Sequence, residues 1–239
     1  MLKKLRATRY VMPLREGGSL PAIVEAEDDG LYVVKFRGAG QGERALIAEL
    51  VSGEIGRALG LLVPEIVLID IDPRLASAEP DFEIQALLKA SGGLNLALDF
   101  LPGALPFDTR LLDGPKSTMS LGAAVLPDSA LASEIVWFDA YVTNVDRTPR
   151  NTNLLLWHRR IWLIDHGASL YFHHTWKDYQ ARAASGFPQV KEHVLLRFAT
   201  DLAGADERLT PKLTPEILEA IIGEIPDEWL DTSPDFQSR

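Results

Sequence analysis

Asn144-Val145-Asp146-Arg147-Thr148-Pro149-Arg150-Asn151 and, fourteen residues beyond that asparagine, Ile164-Asp165-His166-Gly167 decide how this chain is read. Asp146, Asn151 and Asp165 present a carboxylate, an amide and a second carboxylate in that order. Moving a phosphoryl group from a nucleotide to a hydroxyl needs one carboxylate to orient the attacking oxygen. It also needs an amide oxygen to hold a metal ion, and a second carboxylate to bind metal that bridges the phosphates. Asp146 fits the first task, and Asn151 and Asp165 fit the two metal-binding tasks.

The residues between them supply a geometry. Asn153-Leu-Leu-Leu-Trp157 and Ile161-Trp-Leu-Ile164 are short apolar runs separated by His158, Arg159 and Arg160, the pattern of a hairpin with a polar turn. A hairpin folds its ends together, so Asn151 and Asp165 are expected to be neighbours. Upstream, Ser133 to Val142 has apolar residues at helical spacing and predicts a helix whose end delivers Asp146.

The amino-terminal half reads as strands. Arg9–Leu14, Ala22–Ala26 and Leu31–Phe36 are separated by Gly17-Gly18-Ser19 and Asp28-Asp29-Gly30, which predicts an antiparallel meander. A glycine-containing turn lets backbone amides approach phosphates, and a lysine on the third strand can neutralise their charge. Gly17, Gly18, Ser19 and Lys35 occupy those places. Glu43 to Leu59 then reads as a helix ended by Gly60, with Leu46, Ile47, Leu50, Val51 and Ala58 along one face. A glutamate on such a helix can brace the lysine; Glu54 falls near the centre of the apolar stripe and Glu49 near its edge, and both are candidates.

Val63–Ile69 and Phe82–Leu88 read as two further strands. In Leu96-Ala-Leu-Asp-Phe-Leu-Pro-Gly103, an extended connector ended by Pro-Gly, the residues Asp99, Phe100 and Leu101 are placed to hold an adenine; a plain linker is the alternative. At the other end of the chain, Thr214 and Pro215 form an N-cap and N1 pair, and Leu213 and Leu218 a hydrophobic staple. Ile217, Leu218, Ile221, Ile222 and Ile225 form a buried stripe stopped by Pro226, a helix expected to stabilise its lobe and carry no chemistry.

The fold class expected is therefore α+β: a two-lobed protein-kinase-like fold with a small antiparallel-sheet N-lobe over residues 1–98 and a mainly helical C-lobe over 99–239. A chain of 239 residues with 46% hydrophobic content can bury the core this requires. The net charge of −10 argues against a nucleic-acid partner, because phosphate backbones demand a basic face. Lys3, Lys4, Arg6 and Arg9 form a local exception, read as a solvated strand end or as a contact surface for an acidic partner. Without cysteine there is neither a disulfide framework nor a thiolate metal site. No secretory leader is visible, and Leu59–Ile71 is too short and too interrupted by Pro64 and Glu65 to span a bilayer. A soluble, cytoplasmic protein without a membrane partner is expected.

These residues resemble the HipA-like kinases, a bacterial branch of protein-kinase-like folds with features of phosphatidylinositol kinases. The resemblance is carried by Leu-Tyr-Val-Val-Lys35-Phe, by Glu49 eleven residues before Gly60 in the run ending Ala-Leu-Gly-Leu-Leu-Val-Pro-Glu, by Asn-Val-Asp146-Arg with Asn151, and by Ile-Asp165-His-Gly. It spans most of residues 9 to 170 and implies an ATP- and Mg2+-dependent serine/threonine protein kinase, with Glu49 rather than Glu54 as the partner of Lys35. It also implies that Ser19 could accept a phosphate, against the alternative of a small polar turn residue. HipA itself is the toxin of a toxin–antitoxin pair, so a protein partner is one expectation; the phosphoacceptor itself, protein or small molecule, is unspecified. The chain is expected to be of the compact, stand-alone type. It departs from the family pattern in Asp-Arg-Thr-Pro-Arg-Asn, where many relatives carry a histidine after the first arginine, so that this role is either unfilled or taken by Arg150.

Rival readings weaken on inspection. Four of the five histidines, at 158, 166, 173 and 174, lack a zinc-ligand spacing, and His166 is expected to fix Asp165. Hydrolase-elbow, dinucleotide and P-loop signatures are absent. The readings left beside a protein kinase are a nucleotide-binding pseudokinase that recruits a partner, a small-molecule kinase, and an enzyme that transfers AMP from the same polar groups.

Overall fold

In the computed structural model, which describes residues 1–14, 20–40, 42–108, 127–174, 176 and 178–230, five strands near the amino terminus close on themselves. They are β1 (Lys3–Pro13), β2 (Ala22–Ala26), β3 (Leu31–Lys35), β4 (Ile66–Ile71) and β5 (Gly93–Asp99), in the order β1-β2-β3-β5-β4. Four of the ladders are antiparallel, and two of them, β1 with β2 and β2 with β3, are the meander read from the sequence. The fifth differs: β1 pairs β4 in parallel, Lys3 opposite Val67 through Arg6 opposite Asp70, and this seam turns the sheet into a barrel.

The barrel closes because its inward residues are small where the strands crowd. Ala7, Ala22, Ala26 and Ala97 share the interior with Tyr10, Val24, Tyr32, Val34, Val67 and Ile69. Strand β1 bends to fit: its register with β2 shifts between Ala7 and Arg9 and again between Tyr10 and Met12. Bulges of this kind break strict alternation and add curvature, which is how Ala7 and Tyr10, three apart, both point inward. The basic residues of β1 stay exposed beside acidic neighbours, with Lys3 3.0 Å from Glu65 and Arg6 3.6 Å from Glu27, and Arg9 paired with Glu25.

Residues Phe82–Leu88 do not form the strand expected of them; they begin α2 (Phe82–Ala90). Asp81 caps it by accepting from the Glu83 amide at 3.0 Å, a contact typically worth about 1 kcal/mol. Ile84 and Leu88, four apart, are buried in the barrel core, while Phe82 is 83% exposed. A strand would have buried alternate residues; the helix buries one stripe. The fifth strand is β5, which takes in Leu96–Asp99 of the segment read as a connector.

Helix α1 (Glu43–Leu59) follows its sequence reading closely. Gly60, at φ +90°, ends it, its amide reaching the Arg57 carbonyl and that of Leu61 the Gly56 carbonyl, both at 3.0 Å. These are the two bonds of a Schellman motif, and a left-handed residue is what they require. Lys212 Nζ donates to the Leu59 carbonyl at 2.7 Å, satisfying another carbonyl of that end.

The chain groups into two compact units. Met1–Val51, Glu65–Phe100 and the residues from Glu219 onward make the first; Ser52–Pro64 and Leu101–Leu218 make the second. The second is built on α3 (Ser129–Tyr141) and a small sheet of β6 (Leu105–Pro106), β7 (Leu154–Trp157) and β8 (Arg160–Leu163). Shorter helices α4 (Tyr179–Ala183), α5 (Leu202–Leu209) and α6 (Pro215–Ile222) follow, α6 running from the second unit into the first. Thr214 caps α6 as read, its Oγ1 accepting from the Ile217 amide at 3.4 Å. Its stripe is only partly buried: Ile221 is covered, whereas Ile222 is 57% exposed. No helix among the described residues is long and apolar enough to cross a membrane.

Candidate functional site

In the first unit, β3 carries Lys35 one residue after Val34, which faces the barrel core. Alternation along a strand turns Lys35 to the opposite face, where its side chain is 13% exposed. Its Nζ lies 3.7 Å from Oε2 of Glu49, whose side chain is only 2% exposed. A buried carboxylate is costly unless a cation accompanies it, and Lys35 supplies one. Glu54 is placed elsewhere: it belongs to the second unit and lies 3.2 Å from Arg57 on its own helix. Of the two glutamates the sequence left open, the structure brings Glu49 to the lysine.

Gly17, Gly18 and Ser19 lie outside the described residues. Asp99 and Phe100 close β5, and their amides are committed to the sheet: Asp99 donates to the Glu65 carbonyl at 2.8 Å and Phe100 to that of Leu31 at 2.9 Å. Any base held here by backbone would therefore find acceptors at these two residues. Burial raises the Asp99 carboxyl above its ordinary value, with the charges of Glu65 and Asp28 acting in the same direction and Lys3 against them. Leu101, buried, begins the second unit's longer segment.

In that second unit the loop after α3 is held from beneath. Asp128 caps the helix by accepting from the Leu131 amide at 2.8 Å. Ala132, Ile135, Val136 and Asp139 fall on one buried face, so the helix carries a carboxylate into the core. Asp139 is fully buried and accepts from Arg147 Nε at 2.5 Å, Asn144 Nδ2 at 2.9 Å and His193 Nε2 at 2.8 Å. His193 Nδ1 accepts from the Leu195 amide at 3.0 Å, so the ring proton sits on Nε2 and points at Asp139. Burial alone would push the Asp139 carboxyl up, but Arg147 and His193 outweigh it and hold the group well below the usual carboxylate range.

Arg147 extends the network. Its Nη1 donates to the Asn153 carbonyl and lies 3.5 Å from that of Ile164, the residue before Asp165. One buried guanidinium thus ties α3, the loop bearing Asp146, the start of β7 and the end of β8. Asn144 completes the loop by accepting the Asp146 amide at 3.0 Å.

Asp146 itself is half-buried; its Oδ2 accepts from Asn151 Nδ2 at 2.8 Å and Asn153 Nδ2 at 3.2 Å. The opposite amide orientation would set oxygen against oxygen, so Asn151 Oδ1 is directed away from Asp146. Leu154 pairs with Leu163, and the Ile164 amide donates to the Asn153 carbonyl at 3.1 Å. Asn151 thus lies in the loop that enters the hairpin and Asp165 follows the residue that leaves it. The turn is two residues, His158 and Arg159, at φ +47° and +62°, one residue shorter than the sequence reading because Arg160 joins β8. Positive φ at both central residues is the I′ turn that suits strand twist. Asp165 is also left-handed, at φ +58°. His166 is fully buried, edge-on to Phe138 with ring centroids 5.7 Å apart.

An amide oxygen and one carboxylate are hard ligands. Among the described residues no group of three or more His, Cys, Asp or Glu is arranged to hold a metal ion. A small cation that keeps waters and takes its remaining ligands from substrate phosphates, as Mg2+ does, fits such a sparse set. The side chains of His173 and His174 lie outside the described residues. The sequence reading missed Asp139 and His193. The available signal was an aspartate on the apolar face of the helix over Ser133–Val142, which demands a buried cation.

A model of the HipA-like kinase family matches residues 8–239. Among solved structures, the proinflammatory kinase CtkA of Helicobacter pylori superposes with a TM-score of 0.58 at 15% identity, over 92% of this chain and 87% of that one. A Golgi casein kinase gives 0.48 at 13% identity, over 98% and 67%, and a Golgi casein kinase with Mn/ADP bound gives 0.42 at 13%, over 94% and 70%. No curated protein matches the chain. The fold is kinase-like, and with a family match that runs from β1 to the last residue, the chain is a kinase that belongs to the HipA-like kinase family.

Proposed function

We propose that this chain is an ATP- and Mg2+-dependent serine/threonine protein kinase whose two compact units act as its lobes. The observation that carries the reading is the hydrogen bond from Asn151 Nδ2 to Asp146 Oδ2, 2.8 Å long, in the loop that enters the β7–β8 hairpin, whose last strand leads to Asp165. It fixes the base and leaves an amide oxygen for a cation in one step.

Lys35, braced by Glu49, neutralises phosphate charge; Asn151 and Asp165 would hold Mg2+. Bound Mg2+ would supply charge neutralisation on the β- and γ-phosphates. Asp146, with Oδ2 occupied by two amides, offers its other oxygen to the incoming hydroxyl. The hydroxyl oxygen bonds to the γ-phosphorus, the bond from that phosphorus to the bridging oxygen breaks, ADP departs, and Asp146 takes the hydroxyl proton. Serine or threonine as acceptor rests on family membership.

The test uses ATP labelled separately at the α and γ phosphates, with wild type and Asp146→Asn and a broad set of acceptors. Label passing from the γ position only, lowered by several orders of magnitude in the variant while ATP and Mg2+ affinity stays within a few-fold, is expected. Transfer from the α position would overturn the assignment in favour of AMP transfer, and no transfer from either would favour a nucleotide-binding module.

A further inference from the structure

Two residues beyond Lys35, Arg37 stands where three parts of the first unit meet. Its Nη2 lies 3.0 Å from Oε1 of Glu43, the first residue of α1, and its Nη1 3.2 Å from Oε2 of Glu228 near the end of the described chain. Its amide donates to Asn95 Oδ1 at 2.8 Å, and Asn95, fully buried, donates to the carbonyls of Ser91 and Gly93 at 2.8 and 2.7 Å. Trp229, next to Glu228, is 4% exposed, and its Nε1 donates to the Leu94 carbonyl of β5 at 3.0 Å. Gly93, at φ +95°, makes room: a Cβ there would come within 3.3 Å of Arg37 Nη1 and 3.9 Å of Glu228 Oε2.

We propose that the segment Asp227–Trp229 is a latch that sets the position of α1 and, through it, the Lys35–Glu49 pair. Trp229 anchors the segment on β5 and Glu228 orients the guanidinium of Arg37. Arg37 in turn holds the first residue of the helix that carries Glu49. Glu49 lies six residues along, so a shift at Glu43 is transmitted by a rigid helix of about 1.5 Å rise per residue. The Lys35–Glu49 separation of 3.7 Å sits near the outer limit of an ion pair, so a displacement of about 1 Å breaks it, and misplacements of that size are felt strongly in transfer. Trp229, Glu228, Arg37 and Glu43 are positioning residues; none touches the reacting atoms. The latch rests on the reading of Lys35 as the phosphate-contacting residue.

The experiment measures Mg·ATP affinity by calorimetry for Trp229→Ala and Arg37→Gln, each made in wild type and in Glu49→Gln. It also measures hydrogen exchange of residues 44–51 in the nucleotide-free protein. If loss of the latch leaves α1 in place about a tenth of the time, affinity falls about tenfold in wild type. Little further loss is expected in Glu49→Gln, where the pair is already gone. Equal loss in both backgrounds, or no loss in either, overturns the latch. Arg37→Gln leaves the core intact and decides the matter if Trp229→Ala does not fold. Should Lys35→Met alone leave affinity unchanged, the phosphate role of Lys35 is what fails. Hydrogen exchange then judges the latch: faster exchange in the two variants upholds it, and unchanged exchange overturns it.

Discussion

Replacing Asp139 by alanine tests the network beneath the loop that bears Asp146. The carboxylate is fully buried and serves three donors, Arg147 Nε at 2.5 Å, His193 Nε2 at 2.8 Å and Asn144 Nδ2 at 2.9 Å. Its removal strands the guanidinium of Arg147, also fully buried, without a counter-charge. Breaking a buried pair by deleting one partner costs about 3–5 kcal/mol. For a chain of this size each kcal/mol moves the midpoint by about 2–4 °C, so Tm should fall by roughly 6–20 °C. The pH dependence follows from the sign of the shift. Asp139 has its folded carboxyl below the ordinary aspartate value of 3.8. Its ionisation therefore stabilises the fold fully above that value, and the benefit is lost as pH falls through the folded value. Thermal melts of wild type and Asp139→Ala at pH 7 and at pH 3 provide the assay, and the gap between the two proteins should be wide at pH 7 and narrower at pH 3. A variant melting within about 1 °C of wild type at pH 7 would refute the claim that the network carries a desolvated charge pair.

Asp165→Asn should abolish the Mg2+-dependent part of ATP affinity while leaving the melting curve close to wild type; calorimetry with and without Mg2+ that gives equal affinities for both proteins would remove Asp165 from the metal site. Glu49→Gln should raise KM for ATP and lower kcat/KM, whereas Glu54→Gln, which weakens a partly exposed ion pair within its own helix, should leave both within about twofold, since such pairs contribute little; the reverse ranking would reinstate Glu54. Replacing His158-Arg159 with Asn-Gly should stabilise the β7–β8 hairpin by about 1 kcal/mol, because Asn-Gly adopts the required positive φ angles readily. A fall in Tm would show that the edge-on contact of His158 with Trp157, at 4.3 Å between centroids, outweighs the backbone gain.

Much of the candidate site was legible because its parts are local. Asp146, Asn151 and Asp165 fall within one loop and one hairpin, and a hairpin's register follows from a short stretch of alternating residues. Helix α1 was legible for the same reason, being a periodic stripe with a glycine after its last turn. The short apolar run at 82–88 was not, since Ile84, Leu87 and Leu88 suit a strand or a helix at that length. The Asp81 cap and a barrel able to receive one stripe decided for the helix.

Composition, the order of the polar residues and the hydrophobic periods are written along the chain. They determined a kinase-like protein with Lys35 on a strand, a glutamate on the following helix, and Asp146, Asn151 and Asp165 around a hairpin. Tertiary structure alone decided that β1 and β4 close the sheet in parallel, and that His193, fifty-four residues from Asp139, completes the buried network. The physical reason is range. Hydrogen-bonded turns and helical stripes are set by neighbours a few residues apart and leave a period in the sequence. A buried ion pair or a barrel seam joins residues whose separation is arbitrary, and only the packing that excludes water from them makes their pairing obligatory.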